Sequence, residues 1–345
     1  MSYNCFEASQ NRFEVLDVMK IAGNSGRLAC IGSAAISLLV SAGLAGTQTQ
    51  TPPPAAPPSA QGTASPSGQP SGAQAQESAA AGQEQRRQPR AKSQEEMDAY
   101  QKFMAETNPD QQIRMIEDFL LQYPNSELKE YAYQSATQAY QAKNDYNKVL
   151  TYGELTLAEN QNNLVALLIL SAAIPERTAK ADIDRESKLT EAEQYATRAL
   201  EVLSKMPMPA NMTPEQWVQV KKDAESTPHG ALGMIALIRD DYPKAESEFK
   251  MATEMAAKPD PITLYRLGIC YSFEKKYDPA LQALDRSASS GGVKIAGPDG
   301  ATRDLVAEAK SFVMKAKAAA ETPVSGAPAA PNGSTQAPDQ PQPHP

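Results

Sequence analysis

One spaced pattern of small and large apolar residues decides the fold of this chain, and its clearest copy spans residues 264–284, LYRLGICYSFEKKYDPALQAL. The positions that define this copy are Leu264, Leu267, Gly268, Tyr271, Tyr277, Ala280 and Leu284. An equivalent set, 35 positions earlier, is His229, Leu232, Gly233, Ala236, Tyr242, Ala245, Phe249 and Ala252. A third set is Tyr133, Ala136, Thr137, Tyr140, Tyr146, Val149 and Thr156. Self-similarity at a fixed period of this size is typical of repeat architectures, in which each copy is one structural unit.

The pattern resembles the tetratricopeptide repeat family, whose unit is about 34 residues of helix–turn–helix. The resemblance covers residues 96–290, with repeats starting near residues 96, 130, 164, 226 and 261. It implies an all-α fold, a right-handed superhelical solenoid of paired helices, and a scaffold that binds proteins or peptides rather than an enzyme. We interpret the small residues of the pattern as packing positions where the two helices of a repeat approach closely. They include Gly233, Ala245, Gly268 and Ala280.

The third repeat departs from the family spacing, because 62 positions separate its start from the start of the fourth. Its first helix begins with the uncharged run 164–174, so we expect that helix to be buried on most sides. Pro175 is predicted to end it, and insertions follow at 176–188 and 206–214. After residue 290 the pattern breaks, and residues 301–320 are predicted to form a capping helix. The predicted buried face of this cap is Leu305, Ala309, Phe312 and Ala316.

Two flanking segments have a composition that does not support folding. Residues 47–93 and 321–345 are mainly Pro, Ala, Ser, Gly, Gln and Thr, and they hold 15 of the 27 prolines of the chain. Because they lack large apolar side chains, burial cannot offset the entropy lost on ordering them. We therefore predict that both are disordered, and that the first is a tether about 40 Å long on average. The folded part is then residues 94–320.

The N-terminal segment, residues 1–46, has the features of an export signal. Residues 28–46 are apolar and rich in small residues, Lys20 and Arg27 precede them, and 43–45 form a small-x-small site. This pattern predicts a secretory signal peptide cleaved after Ala45. The alternative is an uncleaved inner-membrane anchor, since the segment approaches the ~20 residues that span a bilayer. Met1 and Met19 both remain candidate starts, and either interpretation places the repeats in the periplasm or cell envelope.

Composition and motifs argue against nucleic-acid binding and against catalysis. The net charge is −8, and an acidic chain without a basic stripe does not favour nucleic acid. Of three cysteines, only Cys270 falls within the repeats, where we expect a buried apolar residue. His229 occupies a bulky packing position, and His344 lies in the tail. Because no phosphate-binding loop or catalytic signature is present, we predict no catalytic residue, no cofactor and no metal.

Two kinds of short motif, beside the insertions and in the tail, resemble signals for calcium binding and for glycosylation. Asp182, Asp184, Glu186 and Glu193 match positions 1, 3, 5 and 12 of a calcium-loop template, but Ser187 stands where that template needs glycine. We interpret these carboxylates as a solvated surface with i, i+4 ion pairs. The triplets at 211–213 and 332–334 match the N-glycosylation signal.

The resemblance also implies a binding groove, because in this family the first helix of each repeat lines the concave face. Carried over residue by residue, the candidate groove is Tyr100, Met104, Tyr131, Gln134, Gln138, Leu168, Met234, Leu237, Tyr265, Arg266 and Ile269. Tyr and Met suit adaptable contacts with an apolar helix or an extended peptide. Since Arg266 is the one basic member, a clamp for a C-terminal carboxylate is not expected. For the apolar members, the alternative interpretation is inter-repeat core.

These features predict a non-enzymatic scaffold or adaptor of the bacterial cell envelope that holds a protein or peptide ligand in its groove. One alternative is a structural protein that self-associates as a homo-oligomer. Another is an accessory factor that organises cell-wall or polymer-export machinery. A further hypothesis places the Pro-rich tail in the groove, where its tether would give it a high effective concentration.

Overall fold

The computed structural model describes residues 89–296 and 300–321. Within these ranges the chain forms eleven α-helices and one two-stranded antiparallel hairpin. The helices are α1 (Gln94–Ala105), α2 (Pro109–Gln122), α3 (Lys129–Ala142), α4 (Tyr146–Glu159), α5 (Leu164–Arg177), α6 (Arg185–Lys205), α7 (Pro214–Ile238), α8 (Tyr242–Met255), α9 (Pro261–Phe273), α10 (Tyr277–Ser289) and α11 (Leu305–Glu321). The strands are β1 (Lys294–Ala296) and β2 (Thr302–Asp304). The predicted export signal, most of the tether and the tail after residue 321 lie outside the described residues.

The helices are arranged as five consecutive pairs, from α1–α2 to α9–α10, followed by α11. Each helix packs on the next one along the chain. The first helices of neighbouring pairs also touch, because α3 contacts α5 and α5 contacts α7. Stacked helix–turn–helix units of this kind confirm the predicted all-α solenoid.

Local sequence signals fix where the helices begin and turn. The side chains of Asn108, Asn163 and Asp260 accept hydrogen bonds from backbone N–H groups in the first turn of α2, α5 and α9, as N-cap residues do. The turns inside the second, fourth and fifth pairs share a left-handed residue, and none of the three is glycine. These residues are Asn144, Asp240 and Lys275, with φ of 57°, 62° and 60°.

The glycines of the repeat pattern mark the closest approaches between paired helices. A Cβ atom added at Gly233 would lie 2.6 Å from the Phe249 ring, and one at Gly268 would lie 2.7 Å from the Leu284 side chain. These distances are shorter than any relaxed carbon–carbon contact, so only glycine fits. Gly153 marks a similar close approach between two pairs, because a Cβ atom there would lie 2.7 Å from the Leu170 side chain on α5. The packing role predicted for Gly233 and Gly268 is therefore confirmed.

Helix α5 is the centre of the solenoid. Its residues 164–171 and 173–175 are all buried, and it contacts α3, α4, α6 and α7. A helix that is apolar on every side has no face to present to water. The burial predicted from its uncharged sequence is thus confirmed.

Two predicted boundaries need correction. Helix α5 continues past Pro175 to Arg177, because the hydroxyl and N–H of Thr178 bond to the carbonyls of Ile174 and Pro175 and close the last turn. Helix α7 begins at Pro214, twelve positions before the predicted repeat start at 226. Its start is set by a capping box in which Thr213 and Gln216 satisfy each other's backbone N–H groups. Helices α6 and α7 are 21 and 25 residues long, while each of the other eight helices in the five pairs has 12 to 14.

The cap α11 is rotated relative to the face predicted for it. Leu305 and Ala309 are buried as expected, but Phe312 is 39% exposed. Val306 and Val313 are buried in its place. On the side facing α10, Lys310 and Lys317 form ion pairs with Asp285 and Asp278.

Candidate functional site

Most of the predicted groove is part of the core. The structure buries eight of its eleven residues, so these eight do not line an open groove; for the apolar ones among them, the burial fits the alternative interpretation, inter-repeat core. The exposed fractions are 8% for Tyr100, 6% for Gln134, 1% for Leu168, 4% for Met234, 1% for Leu237, 2% for Tyr265, 5% for Arg266 and 3% for Ile269.

The C-terminal half of the groove is closed for two reasons. Helix α5 packs against neighbours on all sides, which removes Leu168 from the surface. The cap then covers the fifth pair, since α11 contacts α9. Burial raises the pKa of Tyr265 to about 12, as expected for a phenol withdrawn from water.

An ion pair also spans this half of the solenoid. The guanidinium of Arg266 on α9 makes two contacts with the carboxylate of Glu176 in the last turn of α5, at 2.7 and 2.8 Å. Both side chains are almost fully buried. Arg266 is the one basic member of the predicted groove, and Glu176 already neutralises it. A ligand carboxylate therefore finds no available cation at this position.

The three accessible residues of the predicted groove lie on α1 and α3, and together with two accessible neighbours on α1 they form a surface that we call the N-terminal patch. Its members are exposed or half-buried residues on these two helices. They are Met97, Gln101, Met104, Tyr131 and Gln138. The sequence prediction includes Met104, Tyr131 and Gln138 in the groove, and the structure leaves all three partly accessible.

Contacts between α1 and α3 hold the N-terminal patch together. The ring of Tyr131 packs edge-on against Tyr100, with ring centroids 6.1 Å apart. One turn further along, the hydroxyl of Ser135 donates to the sulfur of Met104 at 3.4 Å. Burial, followed by the neighbouring Tyr131, raises the pKa of Tyr100, so its phenol stays protonated at neutral pH. The patch presents aromatic, thioether and amide groups and no charge.

A buried polar network borders the patch and explains why Gln134 is not part of it. The side-chain amide of Asn163 donates to Gln134 at 2.8 Å and to Glu130 at 2.9 Å. Asn160 donates to the same Glu130 oxygen. Because buried polar groups need partners, this network fixes Gln134 between the second and third pairs, and its amide is not free to bind a ligand.

Among known proteins, similarity to this chain is found at the level of the fold. No family model matches the chain, and no curated protein matches it either. Among solved structures, the chain is similar to a thermophilic tetratricopeptide repeat protein of Thermus thermophilus. The two share 16% sequence identity with a TM-score of 0.41, over 64% of this chain and 99% of that one.

The chain folds as a tetratricopeptide-like repeat protein. The stacked helix pairs carry this assignment, with small residues at their close contacts. Solenoids of this class present extended surfaces that bind other proteins. Within residues 89–296 and 300–321, no helix is both long and apolar enough to cross a membrane.

His229 and Cys270 are the residues of the repeats that were considered above as candidates for catalysis. In this tetratricopeptide-like solenoid, both lie among neighbouring side chains. The Nδ1 atom of His229 lies 2.7 Å from a carboxylate oxygen of Glu248, and both side chains are mostly buried. Cys270 is fully buried, and burial raises the pKa of its thiol. The burial predicted for Cys270 is therefore confirmed, whereas His229 is incompletely buried and has a polar partner.

The carboxylates of the calcium-loop template pair with basic side chains instead of converging on one point. Asp184 contacts Lys188 at 2.9 Å, which is the predicted i, i+4 pair. Glu193 accepts from both Arg239 and Lys244, and Glu186 also pairs with Arg239. In the described part of the chain, no group of three or more His, Cys, Asp or Glu side chains is placed to hold a metal ion.

Sequence reasoning missed one surface feature of the second pair. Tyr133, Tyr140 and Tyr152 form a contiguous aromatic cluster on α3 and α4. The first two are members of the repeat pattern. Tyr152 lies outside that pattern. The sequence could have indicated its place in the cluster, because it follows Tyr140 by twelve residues and therefore falls on the facing helix of the same pair.

Proposed function

We propose that this chain is a non-enzymatic scaffold that holds a peptide segment of another protein on the N-terminal patch. The observation that carries the proposal is the contrast between the two halves of the predicted groove. Repeats three to five close it with core contacts and the Arg266–Glu176 pair. Repeats one and two leave Met104, Tyr131 and Gln138 partly accessible.

The chemistry of the patch indicates the kind of ligand. Tyr131 offers a large, rigid surface at low entropic cost, and Met97 and Met104 adapt to irregular apolar shapes. Gln101 and Gln138 supply both donors and acceptors for a peptide backbone. Since the patch is uncharged, an apolar helix or an extended segment without strong charge is the expected ligand.

Site-specific photocrosslinking from the full chain tests this proposal. A photoreactive amino acid at Gln138, on the patch, is expected to link to a partner protein in extracts of the source cells. The matched control carries the same group at Gln282, an exposed position on α10 far from the patch. A product that is specific to position 138, and that Tyr131→Ala abolishes with the helical content intact, would support the proposal. Equal labelling from both positions, or linkage to a second copy of this chain alone, would contradict it.

We also propose that the scaffold works outside the cytoplasm, in the periplasm or envelope. The support is the apolar segment 28–46 with the small-x-small site at 43–45. Peptide mapping of the mature N-terminus is expected to find Gly46 as the first residue. Retention of residues 28–45 in the membrane fraction would indicate an anchor, and recovery of the intact N-terminus in the cytoplasm would contradict export.

A further inference from the structure

A second surface lies on α3 and α4 and is separate from the N-terminal patch. We call it the tyrosine cleft, and it consists of Tyr133, Tyr140 and Tyr152. The rings of Tyr140 and Tyr152 are stacked, with centroids 5.2 Å apart and planes 24° from parallel. Tyr133 lies 6.2 Å from Tyr152 at a 50° tilt. Tyr140 is buried beneath the cluster, while Tyr133 and Tyr152 are half-buried and present ring surface to solvent.

The polar groups around the tyrosine cleft are mainly donors. The hydroxyl of Tyr140 donates to Glu117, so that carboxylate already has a partner. The ammonium of Lys148 lies 5.9 and 6.0 Å from the centroids of Tyr140 and Tyr152, on an exposed side chain. Among the described residues, no atom forms a hydrogen bond with the hydroxyl of Tyr133. The cleft therefore combines aromatic surface with two available donors, from Tyr133 and Lys148.

This combination matches a proline-rich peptide in the polyproline II conformation. Prolyl rings pack on aromatic faces, and domains that recognise such peptides line their grooves with aromatic residues. A polyproline II backbone makes no internal hydrogen bonds, so its carbonyls are free to accept. Proline itself has no N–H group. The ligand thus presents acceptors and apolar rings to a surface that presents donors and aromatic rings.

We propose that the tyrosine cleft binds a proline-rich segment and that residues 51–58 of the same chain, Thr-Pro-Pro-Pro-Ala-Ala-Pro-Pro, occupy it. The bound segment would cover the cleft until a competing proline-rich partner displaces it. This site is independent of the N-terminal patch, so either can be correct without the other.

The attachment point of the tether favours this segment. The N–H of Arg90 donates to Glu127 at 3.1 Å, and the Lys92 ammonium donates to the carbonyl of Asn125. These contacts hold residues 90–92 beside the start of α3. Tyr133 is six positions after Glu127, a distance of about 10 Å at the rise of a helix. The 32 residues from 58 to 90 span about 30 Å on average if flexible, so the segment reaches the cleft at an effective concentration of roughly 1 mM.

The C-terminal tail carries a similar motif but starts at the other end of the solenoid. Residues 328–331 are Pro-Ala-Ala-Pro, the same as residues 54–57. Seven positions separate residue 328 from the end of α11, and seven residues reach at most about 25 Å. Helix α11 packs on α9, α10 and β1, whereas the tether is held beside the start of α3. The tether is therefore the nearer source of a proline-rich segment for the cleft.

Photocrosslinking from Thr151 in the full chain is the first test, because this exposed position is one turn from Lys148 and its replacement keeps both donors of the cleft. With a photoreactive residue at 151, we expect a cross-link to residues 51–58 of the same molecule, identified by mass spectrometry. Mixing isotopically heavy and light chains distinguishes links within one chain from links between two. The matched control places the group at Lys250, an exposed position on α8. Linkage to residues 322–345, linkage between chains, or labelling no greater than the control would each overturn the proposal.

Competition by a free peptide gives a second test that does not depend on a substitution in the folded part. A synthetic peptide of residues 49–60 is titrated against the full chain and against a variant in which Pro52, Pro53, Pro54, Pro57 and Pro58 are all alanine. If the peptide binds with a Kd near 0.1 mM, a tethered competitor at about 1 mM weakens its apparent affinity about tenfold in the wild type. Tyr133→Phe, added to the alanine variant, is expected to weaken binding of the peptide relative to that variant, because the ring stays and the donor is lost. Equal affinity for wild type and variant, or no binding to the variant, would overturn the proposal.

Discussion

Arg266 and Glu176 are 90 positions apart in the chain and form a two-point ion pair that joins the fifth repeat to the third. The pair bypasses α7, the helix between α5 and α9, and both partners are almost completely buried. In a linear array of repeats, contacts are expected only between neighbours. This contact over two repeats therefore couples the stability of α9 to that of α5.

We expect Arg266→Ala to lower the free energy of unfolding by about 3–5 kcal/mol, because it leaves the buried Glu176 carboxylate without a partner. Urea unfolding followed by circular dichroism measures the change. The double variant Arg266→Met with Glu176→Leu is the control, and it should lie near the wild type, since no unpaired charge remains. A single variant as stable as the double variant would show that the pair is not a structural link.

The two glycines of α7 give opposite predictions for the same substitution. Gly233→Ala would place a methyl group 2.6 Å from the buried Phe249 ring, and such overpacking costs about 1–3 kcal/mol. Gly230→Ala would place it where no atom lies within 4 Å, and replacing a mid-helix glycine by alanine stabilises by about 0.5–1 kcal/mol. Thermal unfolding of both variants checks the signs. A decrease in stability for Gly230→Ala would indicate that α7 needs glycine there for another reason.

The repeat pattern predicted the packing of these helices well but could not show how the helices divide between core and surface. Gly233 and Gly268 are recognisable because a close contact between paired helices admits only glycine, whatever surrounds the pair. Leu168 and Met234 lie at positions that line an open groove in the resembling family. Here α5 is apolar on all sides, and that property of the whole helix outweighs the position of any one residue.

Contacts between residues far apart in the chain explain most of the remaining differences between the sequence-based predictions and the structure. Arg266 falls in the predicted groove because its repeat position faces the concave side, and nothing in its own repeat identifies Glu176 as a partner. The face that α11 buries also depends on its contacts with α10, where Val306 and Val313 rather than Phe312 are buried. The start of α7 can be predicted from the sequence, since Thr213, Pro214 and Gln216 form a standard N-terminal signal. The repeat spacing of the family does not predict it, because that spacing places the start of the fourth repeat near residue 226.

The left-handed turn residue of the fifth repeat is a position where glycine should improve stability. Lys275 has a φ of 60°, a conformation that costs a non-glycine residue about 1–2 kcal/mol. Glycine removes that strain but loses more entropy on folding, so we expect Lys275→Gly to gain about 0.5–1 kcal/mol. Lys275→Ala is the matched control, because it removes the same side chain and keeps the strain. Equal stability of the two variants in thermal unfolding would contradict this explanation.

The ion pairs of Glu193 predict part of the acid sensitivity of the solenoid. Hydrogen bonds from Arg239 and then Lys244 hold the pKa of Glu193 below its ordinary value of 4.5. A carboxyl whose pKa is lower in the folded state binds fewer protons there than in the unfolded chain, so its contribution to stability is present above pH 4.5 and is lost as the pH falls through the folded-state pKa. Because the side chain is partly exposed, we expect no more than about 1 kcal/mol.

Glu193→Gln removes this contribution, so the difference between wild type and variant should be largest at neutral pH and should disappear under acidic conditions. Urea unfolding at a series of pH values from 7 to 3 measures it. High salt should reduce the difference at neutral pH, since exposed pairs are screened. A difference that stays constant with both pH and salt would mean that the substitution acts through packing and that the ion pairs with Arg239 and Lys244 contribute little.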